Sequence, residues 1–368
     1  MNAVTGSLAA TPAVTPVPAR RRYDPSLLGL AAALVAAALV LGLARPESYL
    51  VNAVGQLAAL AILAVSLDLV WGYLGILSLG HGLFFAIGGY VCAMHLSAHA
   101  YAVTGAAPDV MQFMGWTSLP FYWTGMTSAP YALVLGIALA VLVALVFGWA
   151  SFRSRVNGVY FSIISQALVY VAMLLMFRND TGFGGNNGMT GFTLLFGQPM
   201  GAPGTVLALT IVTILALAAV LIGCGRLVAS GIGRQMLACR DDETRLRTLG
   251  YGTTALKLKI WCLSAAIAAL AGILYVPQVG IINPRVLSPD LSLEIAVWVA
   301  IGGLGRLSGA VIGAILVNAL KFWLTSAMPE AWPFILSGLV LLVVLVLPNG
   351  LLDLGRLKPT WLRRGMPR

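Results

Sequence analysis

Charge is what this sequence has least of. Lysine, arginine, aspartate and glutamate make up 9% of 368 residues and hydrophobic side chains 60%, whereas soluble domains carry roughly 25% charged residues. That balance excludes a soluble globular domain and implies an integral membrane protein. Cysteine is almost as scarce. Cys92, Cys224, Cys239 and Cys262 show no CxxC spacing, and three lie in or beside apolar runs, so neither a disulfide framework nor a metal site is read. Lysine occurs four times, at Lys257, Lys259, Lys321 and Lys358, and never after glycine. A phosphate-cradling loop ends in Gly-Lys-Ser or Gly-Lys-Thr, so the chain does not hydrolyse ATP by that chemistry. It also has no paired-carboxylate, HExxH or GxSxG pattern; no catalytic residue is assigned and the chain does not read as an enzyme.

What is abundant is the long apolar run. Such runs cover residues 27–44, 50–70, 76–98, 129–150, 158–177, 205–224, 260–277, 291–303, 308–325 and 332–347. Most approach the roughly 20 residues a helix needs to cross a bilayer, and helix is the open-chain way to satisfy backbone polar groups there. The expected fold is therefore an all-α integral membrane protein of about ten transmembrane helices. The run 27–44 is longer than a typical signal-peptide core, so a retained span is preferred to a cleaved leader. The run 291–303 is short enough to be re-entrant or part of a span. Residues 1–26 read as a disordered N-terminal tail, 27–352 as the transmembrane domain and 353–368 as a basic C-terminal tail.

The net charge of +10 is distributed with a sense. With the N-terminus inside, the cytoplasmic segments hold 18 lysines and arginines and the outer segments hold Arg45, Arg178 and Arg285. By the positive-inside rule both termini face the cytoplasm, and the basic balance needs no nucleic acid.

Between the spans, residues 233–251 (GRQMLACRDDETRLRTLGY) form a long polar segment. Asp241 with Arg245 and Glu243 with Arg247 are acid-to-base pairs at i,i+4, which support a solvated helix, and Gly250 stands where a left-handed C-cap would end it. A solvated linker and a docking surface for another protein both fit. Two outer segments are long. Residues 101–128 carry Trp116, Phe121, Tyr122 and Trp123, an interfacial belt or a docking face. Residues 178–204 contain TGFGGNNGMTGF, a run of turns that also places Asn186 and Asn187 at the mouth of a pathway.

Two spans are interrupted by glycine, one from Gly75 to Gly89 and one from Gly302 to Gly313. Glycine-broken spans in both halves point to a transport pathway; close helix packing explains any single glycine, and Gly309 and Gly313 have GxxxG spacing. Asp68, His81, Glu294 and Lys321 are ionisable residues within spans. Asp68 is expected near a helix end, His81 as a neutral imidazole bonded to backbone, Glu294 paired with Arg285, and Lys321 snorkelling. With few fixed charges but neutral donors and acceptors at Ser78, Asn157, Ser162, Ser165, Gln166, Asn186 and Asn187, the pathway suits a small solute without net charge. A zwitterionic amino acid also meets that condition. The candidate pathway residues are Ser78, His81, Gly82, Asn157, Ser162, Gln166, Asn186, Asn187, Gly302 and Gly303.

The strings WGYLGILSLGHGLFFAIGGY from Trp71, NGVYFSI from Asn157, GFGGNNGMTGF from Gly182, GRQMLACRDDETRLRTLGY from Gly233, WVAIGGLGRLSGAVIGA from Trp298 and LPNGLL from Leu347 resemble the permease of branched-chain-amino-acid-type ABC importers. GFGGNNG and the aromatic loop make the resemblance closest to the urea ABC transporter permease. Where the amino-acid arm commonly has GYTGQ, this chain has GYLGI from Gly72. The resemblance implies an inner-membrane subunit importing urea, or alternatively branched-chain amino acids or short amides. It further implies a second related permease, an extracytoplasmic binding protein and two cytoplasmic ATPases; the chain then needs no cofactor of its own, because ATP and Mg are bound by those ATPases. It also implies that residues 225–259 are the coupling loop, with Gly233, Ala238, Arg240, Asp241, Asp242, Glu243, Arg245 and Gly250 meeting an ATPase. A stand-alone secondary transporter or channel is the reading from a different class.

Overall fold

The computed structural model describes residues 25–44, 48–156, 158–328 and the isolated positions 330, 334, 335 and 338. The expectations for the N- and C-terminal tails, for the run 332–347 and for Asn157 lie wholly or mostly outside those residues. In chain order the helices are α1 (Pro25–Ala44), α2 (Ser48–Trp71), α3 (His81–Thr104), α4 (Asp109–Met114), α5 (Ala129–Arg153), α6 (Val159–Phe177), α7 (Pro203–Ala229), α8 (Gly231–Asp241), α9 (Glu243–Thr248), α10 (Thr253–Val279), α11 (Pro289–Gly302) and α12 (Leu307–Ala327). A two-residue hairpin, β1 (Leu194–Leu195) with β2 (Gln198–Pro199), is the only sheet among the described residues. Its turn residues Phe196 and Gly197 have φ of 50° and 78°, the primed geometry that suits strand twist.

Eight helices among the described residues, α1, α2, α3, α5, α6, α7, α10 and α12, are long and apolar enough to cross a membrane. The run 291–303 becomes α11, 14 residues long and so about 21 Å at 1.5 Å per residue, which is short of a full span. The two glycine-rich runs are helical only in part. Residues 76–80 are not helical and α3 starts at His81; Gly82, Gly88 and Gly89 are therefore inside α3, which corrects their placement in a break.

Helix α3 is the axis. Its apolar residues face every direction, and all of His81 to Ala98 is buried, as a helix apolar all round requires. It packs chiefly on α10 and α5, while α2 lies between α10, α7 and α12. The α3–α10 contact depends on missing side chains: a Cβ on Gly88 would strike the Ala269 backbone, and one on Gly272 would strike Phe85 O. Lipid tails give no hydrophobic drive for helix pairing, so close backbone approach has to supply the packing energy. Trp261 of α10 anchors an aromatic cluster, with ring centroids 5.5 Å from His81, 5.3 Å from Phe84 and 5.2 Å from Phe161, and its Nε1 donates to Ala144 O at 3.0 Å. Near the far end of α10, Gln278 ties three helices together: its carbonyl accepts from Asn52 Nδ2 at 2.8 Å and its Nε2 donates to Thr213 Oγ1 at 2.9 Å.

Candidate functional site

Helix α2 stops at Trp71 and the chain runs non-helically through residues 72–80; α11 stops at Gly302 and the chain breaks again through 303–306. These two breaks touch. Asp68, fully buried on the last turn of α2, accepts from Gly305 N–H through Oδ1 at 2.8 Å. There is no room at the crossing for a side chain at Gly72, where a Cβ would meet the Asp68 carboxylate and the Gly305 backbone. The polar segment joins at the same point. Arg240 of α8 donates from Nη1 to Gly72 O at 2.7 Å, and its Cγ lies 2.6 Å from where a Cβ on Gly75 would be. Gly75 has φ +78°, a conformation glycine adopts without steric cost. Backbone freed by a broken helix must find partners inside the protein; here an aspartate and an arginine supply them, each bond contributing of order 1 kcal/mol net.

The second half of the first break is held by hydroxyls. Ser162 of α6 donates to Leu77 O at 2.8 Å, Leu79 N–H donates to Ser165 Oγ at 3.2 Å, and Gly80 N–H donates to Ser78 Oγ at 3.1 Å. His81 Nε2 is 2.6 Å from Ser264 Oγ and Nδ1 is 3.1 Å from Ser78 Oγ. Because Ser264 spends its proton on Ser66 O at 2.6 Å, its oxygen accepts from Nε2–H, and Nδ1 accepts from the Ser78 hydroxyl. With that assignment the imidazole is neutral, held between two hydroxyls with the Ser66 backbone beside it.

The polar segment forms two helices. Asp242 ends α8 and caps α9, its Oδ1 accepting from Arg245 N–H at 2.9 Å, as an N-cap carboxylate does. The expected pair of Asp241 with Arg245 is replaced: Asp241 lies 3.3 Å from Arg240 Nε, and Arg245 lies 3.9 Å from Asp242. Glu243 does pair with Arg247, at 2.9 Å, and also with Lys257 at 2.6 Å. Burial works against the Glu243 charge, but hydrogen bonds from Lys257, Thr253 and Arg247 and the Lys257 charge outweigh it and hold the carboxyl below its ordinary value. Gly250 has φ +87° and donates to Arg247 O at 3.0 Å, the left-handed stop that was expected. Gly233 serves packing, since a Cβ there would strike the Val228 backbone; Ala238 O accepts the Asp242 N–H that closes α8.

On the late break the packing reading of the glycines holds for Gly302, Gly309 and Gly313: a Cβ on Gly302 would strike Gly309 O, and one on Gly313 would strike Trp298 O. Gly303 lies in the break with φ +108°. Glu294 does not pair with Arg285. Its two carboxylate oxygens accept from Lys321 Nζ of α12 at 2.9 and 2.8 Å, because α11 and α12 lie against each other and bring together residues 27 positions apart.

The candidate pathway residues therefore fall into separate groups. Ser78, His81 and Ser162 meet at the first break, with Gly82 beside Ser292 Oγ, 3.2 Å from a built Cβ. Gln166, one turn along α6, keeps both amide atoms buried without a hydrogen-bond partner. Asn186 and Asn187 are exposed on a 3-10 turn beyond the far end of α6, about 28 Å along the helix axis from its start. Asn187 lines a cleft of 660 Å³ there with Phe113, Trp116, Tyr122, Asn179 and Gly184; a Cβ on Gly182 would occupy the place of the Tyr122 hydroxyl, so the aromatic loop is seated on the glycine-rich string. The structural importance of Ser66 and Ser264 went unread, because a serine in an apolar run carries no signal until its partner is known. Among the described residues no group of three or more His, Cys, Asp or Glu is placed to hold a metal ion.

The family described as "Branched-chain amino acid transport system / permease component" matches residues 49–345. The high-affinity branched-chain amino acid transport system permease protein LivM of Salmonella typhimurium is 27% identical over 317 residues, which cover 80% of this chain and 68% of LivM. The corresponding permease protein LivH of Escherichia coli is 24% identical, with 79% of this chain and 90% of LivH covered. BraD of Pseudomonas aeruginosa, of the same description, is 23% identical, with 83% and 97% covered. No solved structure matches the chain.

Proposed function

This chain belongs to the family of branched-chain amino acid transport system permease components, and we propose that it is one of two related membrane-spanning subunits of an ATP-driven importer. In this reading it sits in the bacterial inner membrane with the α8–α9 end and both termini in the cytoplasm. Two ATPases bind ATP and Mg against residues 225–259, and an extracytoplasmic binding protein delivers solute to the opposite end. The chain itself is a conduit and not an enzyme. The observation that carries the proposal is the bond from Arg240 to Gly72 O beside the Asp68 bond to Gly305 N. A displacement of α8 by a docked ATPase reaches both helix breaks directly, without passing through the packed core.

The solute class that the named relatives support is a branched-chain amino acid. Their names carry it, whereas urea stands only on this chain's own GFGGNNG string and the aromatic cleft around Asn187. That cleft, lined by no charged side chain among the described residues and carrying the amides of Asn179 and Asn187, is the observation that keeps urea as the second reading. Uptake by the reconstituted assembly tests both: labelled leucine should accumulate with ATP and resist excess urea. Accumulation of labelled urea that leucine does not inhibit would sink the amino-acid assignment. ATP-independent uptake by this chain alone would sink the importer reading.

A further inference from the structure

Lys321 of α12 and Glu294 of α11 are joined through both carboxylate oxygens, within segments that read as membrane-embedded. A paired acid and base in hydrocarbon is often no more stable than well-packed apolar side chains, and ionisable groups at such depth are functional by default. The pair faces a crevice of 490 Å³ between α2, α11 and α12, with the Lys321 side chain 32% and the Glu294 side chain 15% exposed. Leu57, Leu60 and Phe322 form apolar wall there. Trp298 also lines it; the residue is 1% exposed and its Nε1–H has no hydrogen-bond partner, which is uncommon for a buried donor. An acid, a base and an apolar wall thus converge on one space.

We propose that this crevice is a binding site for a zwitterion carrying an ammonium and an oxyanion on an aliphatic body, with Glu294 taking the ammonium and Lys321 taking the oxyanion. Such a ligand inserts into the ion pair and leaves both protein charges matched. A ligand with only one charge strands the other partner, the costly outcome for a buried charge. Two sources supply this chemistry: a free aliphatic α-amino acid, which rests on the permease reading above, or the headgroup of phosphatidylethanolamine.

The full-length chain, purified with the partners it carries but freed of soluble proteins, is placed in phosphatidylcholine nanodiscs and titrated with labelled L-leucine. Binding is expected, and Glu294→Gln and Lys321→Met should each weaken it about tenfold or more, as loss of a charge-assisted bond does. L-Leucinamide, lacking the carboxylate, and 4-methylpentanoate, lacking the ammonium, should bind weaker by a similar factor. In parallel, phosphatidylethanolamine retained through delipidation is measured by mass spectrometry. Its retention by wild type and loss from both variants, without leucine binding, assigns the site to the headgroup. Retained leucine and phosphatidylethanolamine binding unchanged in folded variants, or no binding of either by wild type, overturns the proposal. Should the charge variants misfold, the two analogues decide on wild-type protein alone: L-leucinamide and 4-methylpentanoate binding as tightly as L-leucine also overturns it. Leucine uptake that persists in the variants while binding is unaltered removes the site and leaves the permease reading standing. Charge-dependent zwitterion binding without any leucine uptake by wild type does the reverse.

Discussion

Arg240 Nη1 donates to the carbonyl of Gly72 at 2.7 Å, joining a polar helix to a break in a membrane helix across 168 positions of sequence. The same guanidinium lies 3.6 Å from the place of a Cβ on Gly305, in the second break. One side chain therefore bonds the first break and lies beside the second.

Arg240→Ala should lower uptake by the assembled transporter about tenfold, the cost of a charge-assisted bond of 1.5 kcal/mol or slightly less, while ATP hydrolysis continues. Arg240→Lys should restore part of it, since a lysine offers the charge without the planar fork. Parallel measurements of uptake and phosphate release check this; unimpaired uptake in the alanine variant rules out the relay.

Reversing charge on the polar helices has to spare the cap. Asp242→Ala removes the N-cap of α9 and should cost about 1 kcal/mol, so any loss of ATPase binding in it is ambiguous. Asp241→Lys combined with Asp242→Asn keeps the cap and changes the charge, and should reduce co-purification of an ATPase with the chain in the membrane. Wild-type recovery of the ATPase in that double variant would place the docking surface elsewhere.

The Glu243 carboxyl is held below its ordinary value of 4.5 by Lys257, Thr253 and Arg247. A depressed carboxylate contributes stability that is fully present above its unfolded value and is lost as pH falls through the lower folded value. Hydrogen exchange in residues 243–248 should therefore rise on acidification below about 4.5 in the wild type. Glu243→Gln should show faster exchange already at neutral pH and a flatter response to acid. An identical acid response in both proteins would mean that another group controls α9.

His81→Phe retains a ring edge-on to Trp261 but leaves the Ser264 and Ser78 hydroxyls short of a partner. Leaving a buried polar group unsatisfied costs about 1–3 kcal/mol. The purified variant should melt several degrees lower than wild type; an equal melting temperature would show that the aromatic contact alone holds the start of α3.

Glycine positions should separate by environment. Gly88→Leu drives a side chain into the Ala269 backbone and should cost about 3 kcal/mol or prevent insertion. Gly223→Ala, with nothing within 4 Å of the added carbon, should be neutral or stabilising by about 0.5 kcal/mol. Melting in detergent distinguishes them, and equal effects would contradict the close α3–α10 crossing.

Much of this protein is legible along the chain because a bilayer imposes a local rule: a span must be long, apolar and helical whatever surrounds it. Hence the runs 27–44, 129–150 and 205–224 reappear as α1, α5 and α7, and the polar helices stand out by charge alone. Local chemistry also marks the left-handed stop at Gly250 and the pair of Glu243 with Arg247, four residues apart. The run 291–303 carried its own warning in its length.

What depends on distant partners was not legible. Glu294 has an arginine nine positions before it in sequence, yet pairs with Lys321, because the α11–α12 turn decides which base is at hand. That Gly88 lies in a helix while Gly75 lies in a break, though both sit in one glycine-rich run, follows from where Ser162 and Ser165 offer bonds to exposed backbone. Composition and periodicity thus determined, on their own, a membrane-embedded helical chain with a charged flank, since each depends on a residue and its near neighbours in a uniform solvent. Only the tertiary structure decided that the two breaks meet at Asp68 and Gly305 and that Arg240 reaches both. Those contacts join residues 168 and 237 positions apart, and a hydrogen bond of under 3 Å between such groups exists only once the helices between them have packed.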